Sequence, residues 1–446
     1  MKQKILWSVL AVVLLGALGA YIATRPEPAD TRFTGAYVLD DGPLVFITPR
    51  EGKVLRYRTM DGETGALWPV AEGQYEGGNG WSEREPVVNR IRFEMEGGKP
   101  SGFIWERSGR PARHAKALQL AEKQFTFKSG DLTLRGKLVL PAGAGPFATV
   151  VMVHGSEDFS GVDYYFEPYM WAANGFAGLV FDKRGTGESQ GKFTANFRVL
   201  ADDVVAAVNW LRTQKEVDGT RIHLAGFSQG GWIAPLAALK DGHIRSLLVG
   251  YGPMVPVIDE DRWGYVYPMR QQGFDEAALA QVDRLNAVVA DIVDRGQDRW
   301  SELGRMLDDS RNEPWMAAME SGDSMLAEIA KAKLPMWAVR LYADWKYDLG
   351  GEVPFIDRLY DPVPTAAALT TPSLWVFGGQ DSSMPTQWTL DQLAKLQAAG
   401  KPIDYFIYPD ADHGIVRFES DGNGGRRDLG YEPDYFKRQI EWFRAH

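Results

Sequence analysis

A single hydroxyl, Ser228, stands between Gly226 and Gly230 in the stretch IHLAGFSQGGWIAPLA, residues 222–237. The apolar run before it reads as a buried strand over 221–227, and the run after it as a helix over 231–239. At such a junction the glycines spare the clashes a Cβ would cause, and the sharp turn exposes an otherwise buried hydroxyl. The N–H of Gln229 then points into the same space, where the helix start adds partial positive charge. A serine so placed could attack an acyl carbon, provided a base removes its proton.

Six histidines are available as that base. His114 falls in a linker, His223 inside the strand before the serine, His243 ahead of the next strand and His446 at the end of the chain. His154 closes the strand VVMVHG, where it is better placed to shape a loop than to move a proton. His413, in the loop PDADHG after the last strand, is the expected base. An orienting carboxylate belongs in the loop after the preceding strand, and WVFGGQDSSMP puts Asp381 there. Asp410 and Asp412 compete from beside His413, although loop carboxylates that close to a turn more often cap it. A tetrahedral intermediate also needs two N–H donors for its oxygen. The Gln229 amide is expected as one and the Ser156 amide as the other, with Glu157 as the alternative.

These residues must be held by a sheet. From residue 120 onward strands alternate with helices, which implies a mostly parallel sheet covered on both faces. A hairpin at Ser129-Gly130-Asp131, the strand FATVVMVHG, a helix over YYFEPYMWAANG, the strand FAGLVFDKRG and a helix through Leu200, Val204, Val208 and Leu211 come in turn. The rhythm stops after IRSLLVGYGP. Residues 254–366 are mostly helical by pattern, and strands resume with PSLWVFGG and IDYFIYP. An insertion between two strands of such a sheet lies near their carboxyl ends, where active sites gather, so it is placed to act as a lid. Its aromatics, Trp263, Tyr265, Tyr267, Trp300, Trp315, Trp337, Tyr342, Trp345 and Tyr347, suit a lid core and suggest an apolar or aromatic acyl pocket. Ahead of all this, residues 31–116 alternate in a two-residue period with turns at Asp41-Gly42, Glu51-Gly52 and Asp61-Gly62. That predicts a small antiparallel β domain.

Taken in order, VHGSEDFSG, FDKRGTGES, GFSQGG, FGGQDSSMP and DADHG resemble the α/β-hydrolase superfamily, close to bacterial esterases of the serine-aminopeptidase and dienelactone-hydrolase-like branches. The likeness covers 120–446 apart from the insertion. It implies an α/β fold and cofactor-free hydrolysis of an acyl bond, with Ser228, Asp381 and His413 on the family's triad positions and FDKRGTGES as a structural loop. The expected activity is carboxylic ester hydrolysis through an acyl-enzyme. Thioester hydrolysis, acyl transfer or peptide cleavage would use the same residues, and Glu157, Asp158 and Glu188 could hold a peptide's amino terminus. A non-catalytic binding protein on the same scaffold would be expected to lack one of the three.

Composition narrows the rest. With 45% hydrophobic and 24% charged residues the chain is suited to folding rather than disorder. A net charge of -10 repels phosphate backbones, so nucleic acid is not an expected partner. The absence of cysteine removes disulfides, thiolate metal sites and a thiol nucleophile. There is no HExxH or Cys/His cluster, so no catalytic metal is expected, and the resemblance implies no cofactor. Lys2 and Lys4 followed by the apolar run Ile5 to Ile22 read, over residues 1–24, as an export signal or a membrane anchor. Either would place the body outside the cytoplasm, in the periplasm or beyond, with possible association with the inner membrane.

Overall fold

The computed structural model describes residues 29–446 except 79–80, 82–85, 348, 350–354 and 421–425. The expected leader therefore lies outside the described residues. No described helix is long and apolar enough to cross a membrane.

The N-terminal strands close on themselves. They are β1 (Gly35–Leu39), β2 (Leu44–Glu51), β3 (Val54–Thr59), β4 (Thr64–Ala71), β5 (Gln74–Gly77), β6 (Asn89–Glu96), β7 (Lys99–Arg107) and β8 (Arg113–Ala117). Each is antiparallel to the next, and β1 returns to β8 with Tyr37 opposite Ala117. Alternation sends Ile91 and Phe93 inward while Arg92 and Glu94 face water. The interior is aromatic: Phe33 stacks on Phe93 at 4.2 Å and Tyr57 meets Trp105 edge-on at 5.1 Å. Closure leaves this small unit without open edges. Its outer wall is not all solvent, because Ala36 and Phe46 join the core beneath the larger sheet and the Arg58 guanidinium lies 4.4 Å from the Phe166 ring centre.

The larger sheet holds β9 (Ala121–Ser129), β10 (Leu132–Leu140), β11 (Phe147–Val153), β12 (Ala177–Phe181), β13 (Val217–Phe227), β14 (Ser246–Gly250), β15 (Ser373–Gly378) and β16 (Ile403–Tyr408). Across the sheet they run β9-β10-β12-β11-β13-β14-β15-β16, parallel from β12 to β16. Successive side chains take opposite faces. Val151 and Val153 pack with Leu200, Val204 and Val208 of the helix Phe197–Leu211, while Val150 and Met152 pack with Phe436 and Ile440 of the helix Tyr435–Ala445. Strands buried on both sides read as continuous apolar runs for this reason.

Among the described residues seven helices lie between β14 and β15; the six from Val257–Gln271 to Met336–Tyr347 surround a core of their own that includes Tyr265, Leu285, Trp300 and Trp315. The aromatics divide: Tyr265, Trp300 and Trp315 are buried, whereas Trp337, Tyr342 and Trp345 are exposed.

Two features differ from the sequence expectation. The helix over 164–175 is two, Gly161–Tyr164 and Glu167–Ala173, because Tyr165 is extended and Pro168 is accepted only in a first turn. Flanking His413 a small antiparallel sheet appears, of β17 (Ala411–Asp412) before it and β18 (Val416–Ser420) and β19 (Arg426–Tyr431) after it.

Candidate active site

β13 ends at Phe227, the helix Gly230–Asp241 begins after two intervening residues, and Ser228, the first of these, has φ 52°. A non-glycine residue in that region is strained unless its surroundings hold it. Here the Ser228 N–H donates to Gly250 O at 3.0 Å and its carbonyl accepts from Gly231 N–H at 2.7 Å. The flanking glycines are sterically required. A Cβ on Gly226 would collide with the Gly230 carbonyl oxygen, and one on Gly230 with the Val153 carbonyl oxygen.

His413 follows β17, and the loop carrying it is joined to the β15 loop by Gln380 N–H to Ala411 O at 2.9 Å and Gly379 N–H to Tyr408 O at 2.8 Å. The sites expected from the sequence converge. His413 Nε2 is 3.0 Å from Ser228 Oγ, and His413 Nδ1 is 2.9 Å from Asp381 Oδ2. Asp381 is 3% exposed, and its other oxygen accepts from the Ser383 and Met384 N–H groups at 2.8 and 3.0 Å. Asp412 does not compete: it accepts from Ser382 N–H at 2.7 Å and pairs with Arg426, a turn-building role. Burial works against charging His413, but the adjoining Asp381 carboxylate outweighs it, and Glu260 and Glu157 add to the effect, so its pKa stands above the usual 6.5. With Nδ1–H donated to Asp381, Nε2 is free to accept the serine proton.

Gln229 is buried at the helix start, and Gly155 packs against Ser228, since a Cβ on it would sit 3.2 Å from Ser228 Cβ. Ser156 follows at the surface of the same loop. Glu157 is turned toward His154, 3.7 Å from its Nδ1. Burial would raise its pKa, but His154 and Lys183 hold it down to about 2. Glu188 is itself exposed and lies 3.7 Å from the largely buried Arg135 side chain.

Three further residues face this site without having been singled out in the sequence. Tyr251 follows β14 and sits edge-on to His413, ring centres 4.7 Å apart at 67°. Its place at the carboxyl end of a central strand was the available signal. Glu260, on the helix Val257–Gln271, is pushed up to about 8 by burial and by neighbouring acids. Lys183 donates to Gly155 O at 2.7 Å. No periodicity marks the last two, and Lys183 lies within FDKRGTGES without being distinguished there.

The strand order, the sharp serine turn after β13 and the helical insertion ahead of β15 define an α/β-hydrolase, and the protein is a hydrolase. Residues 123–414 match the X-Pro dipeptidyl-peptidase (S15) family, and the chain belongs to it. Among its relatives, an uncharacterized 31.7 kDa protein of the traX-finO intergenic region of Escherichia coli is 23% identical over 319 residues, covering 69% of this chain and 94% of that one. Esterase EstD of Thermotoga maritima is 31% identical over 306 residues, covering 66% of this chain and 61% of that one. Among solved structures, the acylaminoacyl peptidase of Pyrococcus horikoshii is similar over 88% of this chain and 54% of its own, with 14% identity and a TM-score of 0.47.

Proposed function

We propose that this chain is a serine hydrolase cleaving small carboxylic esters through an acyl-enzyme, with Ser228 as nucleophile, His413 as base and Asp381 as orienting acid. The observation that carries the reading is the unbroken pair of hydrogen bonds from Asp381 to His413 to Ser228 at a strained strand-to-helix turn. Ser228 Oγ bonds to the acyl carbon as its proton passes to His413 Nε2, and the oxyanion is held by the Gln229 and Ser156 N–H groups. Collapse breaks the bond to the alcohol, which leaves with the proton from His413. Water, deprotonated by the same imidazole, then releases the acid and restores the serine.

An ester substrate is in keeping with relatives named esterase, and the aromatic-rich insertion favours an apolar or aromatic acyl group. Export by residues 1–24 would place the reaction outside the cytoplasm. Peptide-bond cleavage is the second reading, favoured by the family's description and by the charged Glu157 close enough to influence His413. The test is kcat/KM for the purified chain on matched p-nitrophenyl esters, thioesters and aminoacyl p-nitroanilides. Esters turned over at least a hundredfold faster than the anilides support the first reading. The reverse order selects the second.

A further inference from the structure

The segment FDKRGTGES forms a loop whose side chains grip the loop after β11. Asp182 Oδ1 accepts from Ser160 Oγ at 2.8 Å and from Val162 N–H at 3.0 Å. Arg184 fastens the segment behind by a two-pronged pair with Asp203, at 2.7 and 2.8 Å. Between them Lys183 is only 3% exposed. An ammonium removed from water is costly unless polar groups receive it. Its partners are the Gly155 carbonyl at 2.7 Å and the Phe193 ring, 5.0 Å from its Nζ, with Glu157 and Asp158 as the nearby acids.

That carbonyl belongs to the peptide packed against Ser228. The Gly155–Ser156 bond is trans, so its C=O and N–H point in opposite directions. A carbonyl pinned on Lys183 therefore turns the Ser156 N–H away from the lysine. We propose that Lys183 is a positioning residue: by holding the Gly155 carbonyl it aims the Ser156 N–H at the oxygen that becomes negative when Ser228 attacks. This rests on the reading of Ser228 given above. Lys183 touches neither substrate nor the reacting atoms, and its effect falls on the transition state rather than on substrate binding. Without the anchor the peptide is free to rotate, and an oxyanion donor contributes only when it is already in place.

The test is Lys183→Met in the full chain, assayed on a p-nitrophenyl ester. The expected result is a fall in kcat of roughly 10- to 100-fold, within the hundred- to thousandfold effect of losing a donor outright, with KM changed by less than about threefold. Lys183→Arg, which keeps a charged donor, should recover part of the loss. Lys183→Leu replaces the methionine variant if that one does not fold. If neither folds, the amine serves the fold rather than the donor, and the proposal fails. Labelling of the wild-type chain by a fluorophosphonate separates the two readings. Wild type labelled at Ser228, with unaltered kcat in Lys183→Met, overturns the role of Lys183 alone, whereas a wild type that hydrolyses the ester unlabelled overturns the nucleophile assignment beneath it.

Discussion

Asp381 meets His413 at 2.9 Å while its second oxygen is held by two backbone N–H groups. Its lone pairs are thus directed, and the imidazole is held in one tautomer. Asp381→Asn should lower kcat by roughly a thousandfold or more, because the amide can present N–H where the imidazole needs an acceptor. Asp412→Asn, whose carboxylate caps Ser382, should change kcat by less than about tenfold. Steady-state kinetics on the two variants decide between them, and an inverted order would move the orienting role to Asp412.

The pH dependence follows from the same contact. In the proposed mechanism hydrolysis needs neutral His413, and Asp381 favours the charged form, so kcat/KM should rise with pH through a midpoint above 6.5. The charged and ring groups around the imidazole include Asp381, Glu260, Glu157, Asp323 and the Tyr251 ring. Residual activity of Asp381→Asn should show that midpoint moved downward. A wild-type midpoint below 6.5 would mean that burial, not the carboxylate, governs the histidine.

Gly230 is the tightest point of the serine turn. Gly230→Ala would drive a methyl into the Val153 carbonyl at the end of β11, which also leads into the loop carrying Gly155 and Ser156. The expected outcome is loss of ester turnover together with destabilisation by about 1–3 kcal/mol or more, read from urea unfolding. An active, stable alanine variant would show that the turn relaxes freely.

Arg358 tests the insertion. Its side chain is 1% exposed and bonds Asp261 at 2.8 Å and Asp294 at 3.1 Å, joining the ends of two helices to the segment leading back toward β15. Arg358→Met leaves two acids without their cation and should cost about 3–5 kcal/mol. Limited proteolysis within residues 257–347 should accelerate before the rest of the chain is cut.

The parts most legible in the sequence were those in which local pattern and tertiary role coincide. β11 and β13 are apolar because both faces are covered, and Gly226 and Gly230 are glycine because neighbouring carbonyls leave no room. Asp381 and His413 were readable from position alone, each in the loop after a late strand. Less visible was what long-range packing decides. Tyr165 breaks a helix that periodicity extends, and β18 and β19 follow from contacts such as Tyr431 N–H to Gly62 O, made with the barrel. Lys183 and Glu260 carry ordinary surface residue types, and only their burial beside the site distinguishes them.

The central claim is that Ser228 becomes covalently acylated. The direct measurement is peptide mapping by mass spectrometry after treatment with a fluorophosphonate, alongside ester turnover. The expected result is one adduct per chain, located on Ser228, loss of turnover in step with labelling, and neither labelling nor turnover in Ser228→Ala. Full ester hydrolysis by Ser228→Ala, or an inactivating adduct on another residue, would contradict it.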